Sequence, residues 1–370
     1  MKKKLIFAGA GHAHIHSLSN LHEFVRAGAS VTVVNKSRYH YYSGMGPGLL
    51  SGYYSLDETR FDIKKIVESH GCRFIEAEVK QIFPHEKRIF LSDNTALNYD
   101  LISFNTGSEV LSLPIAGEAD NLYPVKPLEN LYRIREKILA VKKIDIAVIG
   151  GGAAGVEIAA NLSELALRNS VDADISIISR EHLLPGYSES FYLKALKYLK
   201  RRDVNIYEYR DVEKIDSDNI YFRSGEKIGH DIAVNASGIK PSSLFSLSGM
   251  RTGAEGGLPV DRYLHAADYP GIFAGGDCIQ FEPAPLNKVG VYAVREGMIL
   301  YYNLLAYIKG EKLLEFKPQK DYLAILNMAY RKGIMLWKGR LFSGVIPFYL
   351  KYFLDSTFMK KYQKNLGVKK

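Results

Sequence analysis

The 370-residue chain reads as an α/β protein, with two Rossmann-like units in tandem followed by an amphipathic basic tail. Three observations predict this. Two glycine loops, Gly9-Ala-Gly11-His12-Ala13-His14 and Gly150-Gly-Gly152-Ala153-Ala154-Gly155, each lie between an apolar run and a helix-like stretch. That is the order of a dinucleotide-binding strand–helix–strand unit. Two later segments repeat in step: Tyr99-Asp-Leu-Ile-Ser-Phe-Asn105-Thr106-Gly107 and His230-Asp-Ile-Ala-Val-Asn-Ala-Ser237-Gly238. The loops are offset by 141 residues and these strands by 131, so one plan occurs twice. Finally, basic residues concentrate at the C-terminal end.

Taken in order, residues 5–8 are a strand-length apolar run, a helix pattern continues to about residue 26, and residues 31–34 form a second strand. Residues 73–97 alternate in short runs with turn residues, as a β-meander does, and residues 204–228 do the same in the second copy. Strands at 144–149 and 175–178 flank a helix reaching about residue 168. Punctuation by proline and glycine sets the expected divisions: 1–113 for the first unit, 114–238 for the second, 239–316 returning to the first, and 317–370 for the tail.

Hydrophobic residues at 47% and charged residues at 24% exclude wholesale disorder. No run reaches the ~18 unbroken apolar residues of a membrane span; the candidate at 298–308 is short and contains Asn303. Cys72 and Cys278 are the only cysteines, 206 positions apart, which excludes a disulfide-stapled fold and an adjacent dithiol centre. The opening Met1-Lys-Lys-Lys and its apolar run stop at Gly9, reading as a strand rather than a signal peptide, so cytoplasmic residence is expected. Of the net charge of +9, the tail supplies the whole: 12 Lys and Arg face only Asp321 and Asp355 there.

A glycine turn between strand and helix lets the backbone approach a pyrophosphate, and the helix start offers free N–H groups and partial positive charge. Gly150, Gly152 and Gly155 fill all three glycine positions, whereas the first loop has His14 at the third. After the second strand an acid ordinarily binds the ribose 2′-hydroxyl. Asn35-Lys36 and Ser179-Arg180 stand there instead. Asn35 can still bond a ribose hydroxyl; Arg180 either pairs with a 2′-phosphate or is a solvated loop residue. NADPH is therefore expected to be accepted at least as well as NADH.

Near the end of the body lie Pro270-Gly-Ile-Phe-Ala-Gly-Gly276-Asp277-Cys278 and Lys288-Val-Gly-Val-Tyr292-Ala-Val-Arg295. With the paired loops, this Gly-Asp box resembles the two-dinucleotide-binding-domain flavoproteins of the FAD-dependent pyridine nucleotide oxidoreductase superfamily. Tyr42-Ser43-Gly44-Met-Gly-Pro-Gly48 and Phe316-Lys-Pro-Gln-Lys-Asp-Tyr-Leu323 narrow the likeness to type II NAD(P)H:quinone oxidoreductases and the related flavoproteins fused to selenide, water dikinase.

The resemblance implies FAD in the first unit and NADH or NADPH in the second. Gly9, Gly11, His12, Ala13 and His14 would lie against the FAD pyrophosphate and Val79 against adenine, with Asp277 on the ribityl or phosphate side. Asn35, Tyr42, Ser43, Gly44, Asn105, Thr106, Gly107 and Gly276 complete that site. Gly150, Gly152, Ala153, Ala154, Gly155, Ser179, Arg180, Ser237 and Gly238 would hold the nicotinamide nucleotide. Glu157 would meet its carboxamide, or else simply charge the helix start. A helix beginning near Lys288 would aim its positive end, with the lysine, at the flavin pyrimidine edge. Hydride passes directly between the cofactors, so no general base is required.

The family's Ala-Gln-x-Ala-x-Gln is replaced here by Gly290-Val-Tyr292-Ala-Val-Arg295, leaving Tyr292 and Arg295 to line the acceptor site. Quinone, a soluble selenium or sulfur acceptor, and a regulatory flavin-binding role beside selenophosphate synthetase all stay open. In the tail, Ile346, Tyr349/Leu350, Phe353 and Thr357 fall at helical spacing among basic residues. Such a helix lies on a membrane surface at the cytoplasmic face with its lysines toward headgroups, or packs on the body or a homodimer partner. No nucleic-acid motif accompanies the charge. Of His12, His14 and His16 only His12 and His16 share a helix face, the glycine loop already explains the segment, and no metal is expected.

Overall fold

The computed structural model describes residues 2–117 and 119–364. Its first sheet holds five parallel strands in the order Ile272–Ala274, Leu101–Phe104, Lys3–Ala8, Ala29–Asn35 and Arg73–Glu76. The second repeats the plan with Leu122–Pro124, Ile232–Asn235, Lys143–Ile149, Asp172–Ile178 and Asn205–Tyr207. Registers correspond: Ala8 pairs with Phe104 and Val34, and Ile149 with Asn235 and Ile178. Helices cover these sheets, so the central strands are buried on both faces and read as unbroken apolar runs. The two-unit α/β architecture expected from the sequence is the one observed.

Two local expectations are corrected. The first strand of each supposed meander, Arg73–Glu76 and Asn205–Tyr207, joins the parallel sheet; only the next three strands form an antiparallel layer. Short apolar runs look alike in either setting, and only the partner strand distinguishes them. The first helix also breaks, into His12–Leu18 and Leu21–Arg26. Ser19 Oγ donates to Ile15 O and Asn20 Nδ2 to His16 O, local bonds that compete with the helical ladder.

One core draws on residues 5–104 and again on 244–316. Another joins residues 131–236 to Leu326, Met328, Ala329 and Ile334 of the tail. The tail is a three-stranded antiparallel sheet, Ala324–Asn327, Gly333–Trp337 and Arg340–Gly344, followed by the helix Val345–Lys364. Its sheet packs on the second unit. Its helix crosses to the first, where Phe348 meets Tyr53 (ring centroids 4.9 Å apart) and Phe358 stacks on Tyr42 (4.7 Å). Phe348, Asp355, Met359 and Tyr362 form the buried face. The stripe singled out in the sequence points outward, with Ile346 79% and Phe353 64% exposed. This helix is apolar on two opposite sides.

The two glycine loops show why their spacing is unforgiving. Gly9 has φ 86° and Gly150 φ 131°, and a Cβ on either would enter the end of the neighbouring strand at Asn105 O or Ala236 O. A Cβ on Gly155 would meet Gly150 O. Gly152 differs, because nothing lies within 4 Å of its Cβ position. Gly150→Ala is accordingly expected to cost at least ~1–3 kcal/mol from backbone strain alone. Gly152→Ala should cost under about 1 kcal/mol while weakening a bound pyrophosphate. Denaturant unfolding and nucleotide titration of the two variants check the contrast.

Candidate active site

In the first unit, Gly11 caps the helix His12–Leu18 in an extended conformation. Asn105 knits the surroundings: its Oδ1 accepts from Ala13 N (3.0 Å) and its Nδ2 donates to Gly275 O, tying the loop to the Gly-Asp box. Asn35 is spent in a similar way. Its Oδ1 accepts from Ala10 N (3.0 Å) and its Nδ2 donates to Ser37 O (2.6 Å), so the amide braces the loop where a ribose contact had been expected.

His14 also departs from expectation. Its ring is fully buried, with Nδ1 2.6 Å from Gly9 O and Nε2 2.8 Å from Ser103 Oγ, and it packs edge-on to Phe7. Two residues along a helix turn a side chain to the opposite side, so His14 faces the sheet while His12 packs among His40, Tyr42 and Phe358. Burial lowers both rings to about 4 and keeps them neutral. His12 stands 4.9 Å from His40 and 5.2 Å from Tyr42, centroid to centroid. The Nε2 atoms of His12 and His40 are buried without a partner among the described residues. Val79 is buried, Ser43 exposed.

Asp277 accepts from Ser108 Oγ (2.7 Å) and Lys126 Nζ (3.0 Å). Burial would raise its pKa, but Lys126 foremost outweighs that and holds the carboxyl below the usual range. A cavity of about 220 Å³ opens beside it, lined by Gly276, Lys288, Val289, Tyr292 and Glu296 at the start of the helix Gly290–Lys309. Lys288 pairs with Glu255 at 3.2 Å, so its charge is already partly balanced. Tyr292 donates to Gln319 O (3.3 Å). Arg295 is exposed on the same helix and does not line this cavity. Glu296, not singled out in the sequence, is buried, accepts from Gly276 N, and is pushed up to about 7 by that burial.

In the second unit, Leu184 N donates to Gly151 O (2.6 Å), closing the loop over a buried Ser179. Arg180 is exposed and has no ion-pair partner among the described residues; Arg210, whose N–H donates to Ser179 O, pairs with Glu226 at 3.1 Å. Ser237 Oγ donates to Asn235 Oδ1 (2.7 Å). Ala153 and Ala154 leave the helix start open.

Glu157 lies one turn inside that helix. Its Oε1 accepts from Asn327 N at 2.6 Å, and burial pushes it up to about 7, with Lys351 pulling it partly back. Lys351 Nζ donates to Gly44 O (2.8 Å) and Asp355 Oδ2 (3.1 Å). Burial alone would lower this lysine, but Asp355 and Glu157 hold it above its ordinary value. Asp355 is raised by burial, with Lys351 foremost and Tyr42 after it pulling it partly back. The tail's buried Lys351–Asp355 pair thus bonds Gly44 of the first unit and lies within electrostatic reach of Glu157 in the second. Lys351, read from the sequence as facing headgroups, turns inward. Its i,i+4 spacing to Asp355 was the available signal; nothing local in the sequence marked Asn327 or Lys126.

A model of the pyridine nucleotide-disulphide oxidoreductase family matches residues 3–297. The chain belongs to that family. The type II NADH:quinone oxidoreductase of Staphylococcus saprophyticus is 23% identical over 385 aligned positions, covering 96% of this chain and 94% of that one. Solved structures of the same fold include NDH2 from Plasmodium falciparum in complex with NADH (TM-score 0.82, 17% identity, 99% and 98% coverage). The sulfide:quinone oxidoreductase of Aquifex aeolicus aligns with TM-score 0.80 at 15% identity, covering 98% and 92%.

This oxidoreductase therefore uses FAD and a nicotinamide nucleotide, and it has a cradle for each. The fit is physical: two helix starts lie under glycine loops too tight for a Cβ, and unpartnered histidine nitrogens border the first. It has no adjacent dithiol. Cys278 is buried, its thiol pushed up to about 11 by that burial and directed at Gly275 O.

The opposed directions of two neighbouring histidines separate their roles. His14→Ala is expected to lose ~2–4 kcal/mol of stability through a cavity and unsatisfied partners. His12→Ala, which loses ring packing but no hydrogen bond, should cost less stability than His14→Ala but alter the bound flavin's absorption and affinity. Chemical denaturation and FAD titration distinguish them.

Proposed function

We propose that this oxidoreductase passes electrons from NADPH or NADH through FAD to a quinone at the cytoplasmic face of a membrane. The observation that carries this reading is the junction of Glu157, Tyr42, Lys351 and Asp355, roofed by a helix whose other side is apolar and outward. FAD, when bound, accepts a hydride from the nicotinamide and returns two electrons to the acceptor. The chain's own residues supply the rest. Glu157 receives the carboxamide, and ionises near neutral pH. Lys351, within electrostatic reach of Glu157, supplies one of the two protons that a quinone taking up two electrons needs; the other hydrogen enters the site as the nicotinamide hydride.

Around the flavin site, Gly9, Gly11, His12, Tyr42 and Asp277 hold the cofactor, and Lys288 with the helix start at Gly290 favours negative charge at its edge. Arg180, exposed next to a Ser179 that stands in place of an acid, supports acceptance of the NADPH 2′-phosphate. Among the described residues no helix is long and apolar enough to cross a membrane, so attachment would be peripheral, through Ile346, Tyr349 and Phe353 with lysines around them. The whole-length likeness to type II NADH:quinone oxidoreductases supports the acceptor. One observation favours a second reading, a soluble selenium or sulfur acceptor: both family glutamines are absent, and Arg295 does not replace them at the cavity.

Anaerobic NADPH or NADH is expected to bleach the visible flavin band, and a menaquinone or ubiquinone analogue to restore it. Bleaching that no quinone reverses moves the assignment to the soluble acceptor. NADPH should be used at least as efficiently as NADH; a tenfold lower efficiency overturns the role given to Arg180.

Because the tail also closes the site, its membrane role is tested with point variants and not by truncation. The full chain is expected to float with anionic liposomes, and Ile346→Asp with Phe353→Asp to abolish this. Equal flotation rejects lipid attachment; loss of a dimer on size exclusion assigns the face to a second copy.

A further inference from the structure

Three polar residues on the helix Ala153–Arg168, Glu157, Asn161 and Glu164, fall at positions i, i+4 and i+7 and so share one face. All three are occupied by the tail. Glu157 Oε1 accepts from Asn327 N at 2.6 Å. Asn161 Nδ2 donates to Asn327 O at 3.1 Å, and Asn161 Oδ1 is 3.3 Å from Asn327 Nδ2. Glu164 Oε2 accepts from Tyr330 N at 2.9 Å, while the Tyr330 hydroxyl donates to Ser163 O at 3.0 Å.

The segment so held is unusual in itself. Ala329, Tyr330 and Arg331 have φ of 59°, 49° and 54°, three consecutive side-chain-bearing residues in the left-handed region. Residues with a Cβ avoid that region, and successive ones persist only where their surroundings over-determine them. Here the over-determination is explicit. Asn327 Oδ1 accepts from Ala329 N (3.0 Å), Met328 and Lys332 bond across the turn, and Glu164 takes the amide in the middle. Such a turn sets the register of the strand before it, and the last residue of that strand is Asn327.

We propose that the tail completes the nicotinamide end of the site, with the turn at 329–331 and its anchor Glu164 acting as positioning elements that hold the Asn327 N–H against Glu157. This rests on the reading of Glu157 as the carboxamide acceptor. Glu164 lies seven residues farther along the helix, about 10 Å away, and acts only through the tail. The charged and titratable groups facing Glu157 are Lys351 and Asp355 from the C-terminal helix and Tyr187 from the segment before Glu189–Lys200. The Asn327 N–H favours the ionised carboxylate. Its displacement therefore moves Glu157 ionisation to higher pH.

The test uses the FAD-loaded full chain, with NADP⁺ and adenosine 2′,5′-bisphosphate, which lacks nicotinamide, as probes. In the wild type, NADP⁺ affinity rises with pH through about 7 as Glu157 ionises. Glu164→Ala is expected to weaken NADP⁺ about tenfold, leave the bisphosphate unchanged, and shift the NADP⁺ pH profile upward. Glu164→Gln, which keeps the acceptor, should restore wild-type behaviour. Arg331→Ile strains the turn from its exposed side without touching the helix, and should act like Glu164→Ala. Equal loss of both probes, or no change in the pH profile, overturns the proposal. A wild-type chain that binds the bisphosphate but not the nicotinamide portion overturns instead the underlying assignment of Glu157.

Discussion

Each glycine loop passes so close to the end of a neighbouring strand that a single carbon would enter a backbone carbonyl, and the rest of the molecule follows from this approach. At Gly9 the obstacle is Asn105 O, and at Gly150 it is Ala236 O, equivalent positions in the two copies. Close passage brings the helix starts at His12 and Ala153 under the loops with their N–H groups facing outward. It also leaves no space for error in the strand registers. Ala8 opposite Phe104 and Ile149 opposite Asn235 are two statements of one constraint.

The second organising feature is the tail, which closes the structure. Its sheet shares a core with the second unit, and its helix packs on the first. Lys351 and Asp355 lie where these surfaces meet, a buried pair whose desolvation is offset by Gly44 O, Tyr42 and Glu157. A pair of this kind adds little net stability. Its value lies in specificity, because misplacing either unit leaves a charge stranded. The oxidoreductase thereby ties the geometry of its two cradles to a helix that also offers an apolar face to the outside.

Legibility followed how local the physics was. The glycines, the apolar strands and the matched Asn-Thr-Gly and Ala-Ser-Gly ends declare themselves by spacing, since steric exclusion of a Cβ and burial on two faces act over a few residues. Polar roles were harder to read. His12 and His14 look equivalent in the sequence, yet one packs among His40, Tyr42 and Phe358 and the other spans Gly9 and Ser103. Asn35 stands where a ribose ligand belongs and is consumed by Ala10 and Ser37. Arg295 sits one turn from Tyr292 and does not share its cavity. A hydrogen-bonding group has several permitted partners, and only the fold chooses among them.

By itself, then, the sequence determined that there are two nucleotide cradles, which helices open onto them, and that no adjacent dithiol is present, because periodicity and glycine sterics are properties of short segments. Tertiary structure alone decided that Lys126 secures Asp277, that Lys351 points inward, and that Asn327 reaches Glu157 across 170 residues of chain. These are contacts between surfaces that the chain brings together only after each unit has buried its own core.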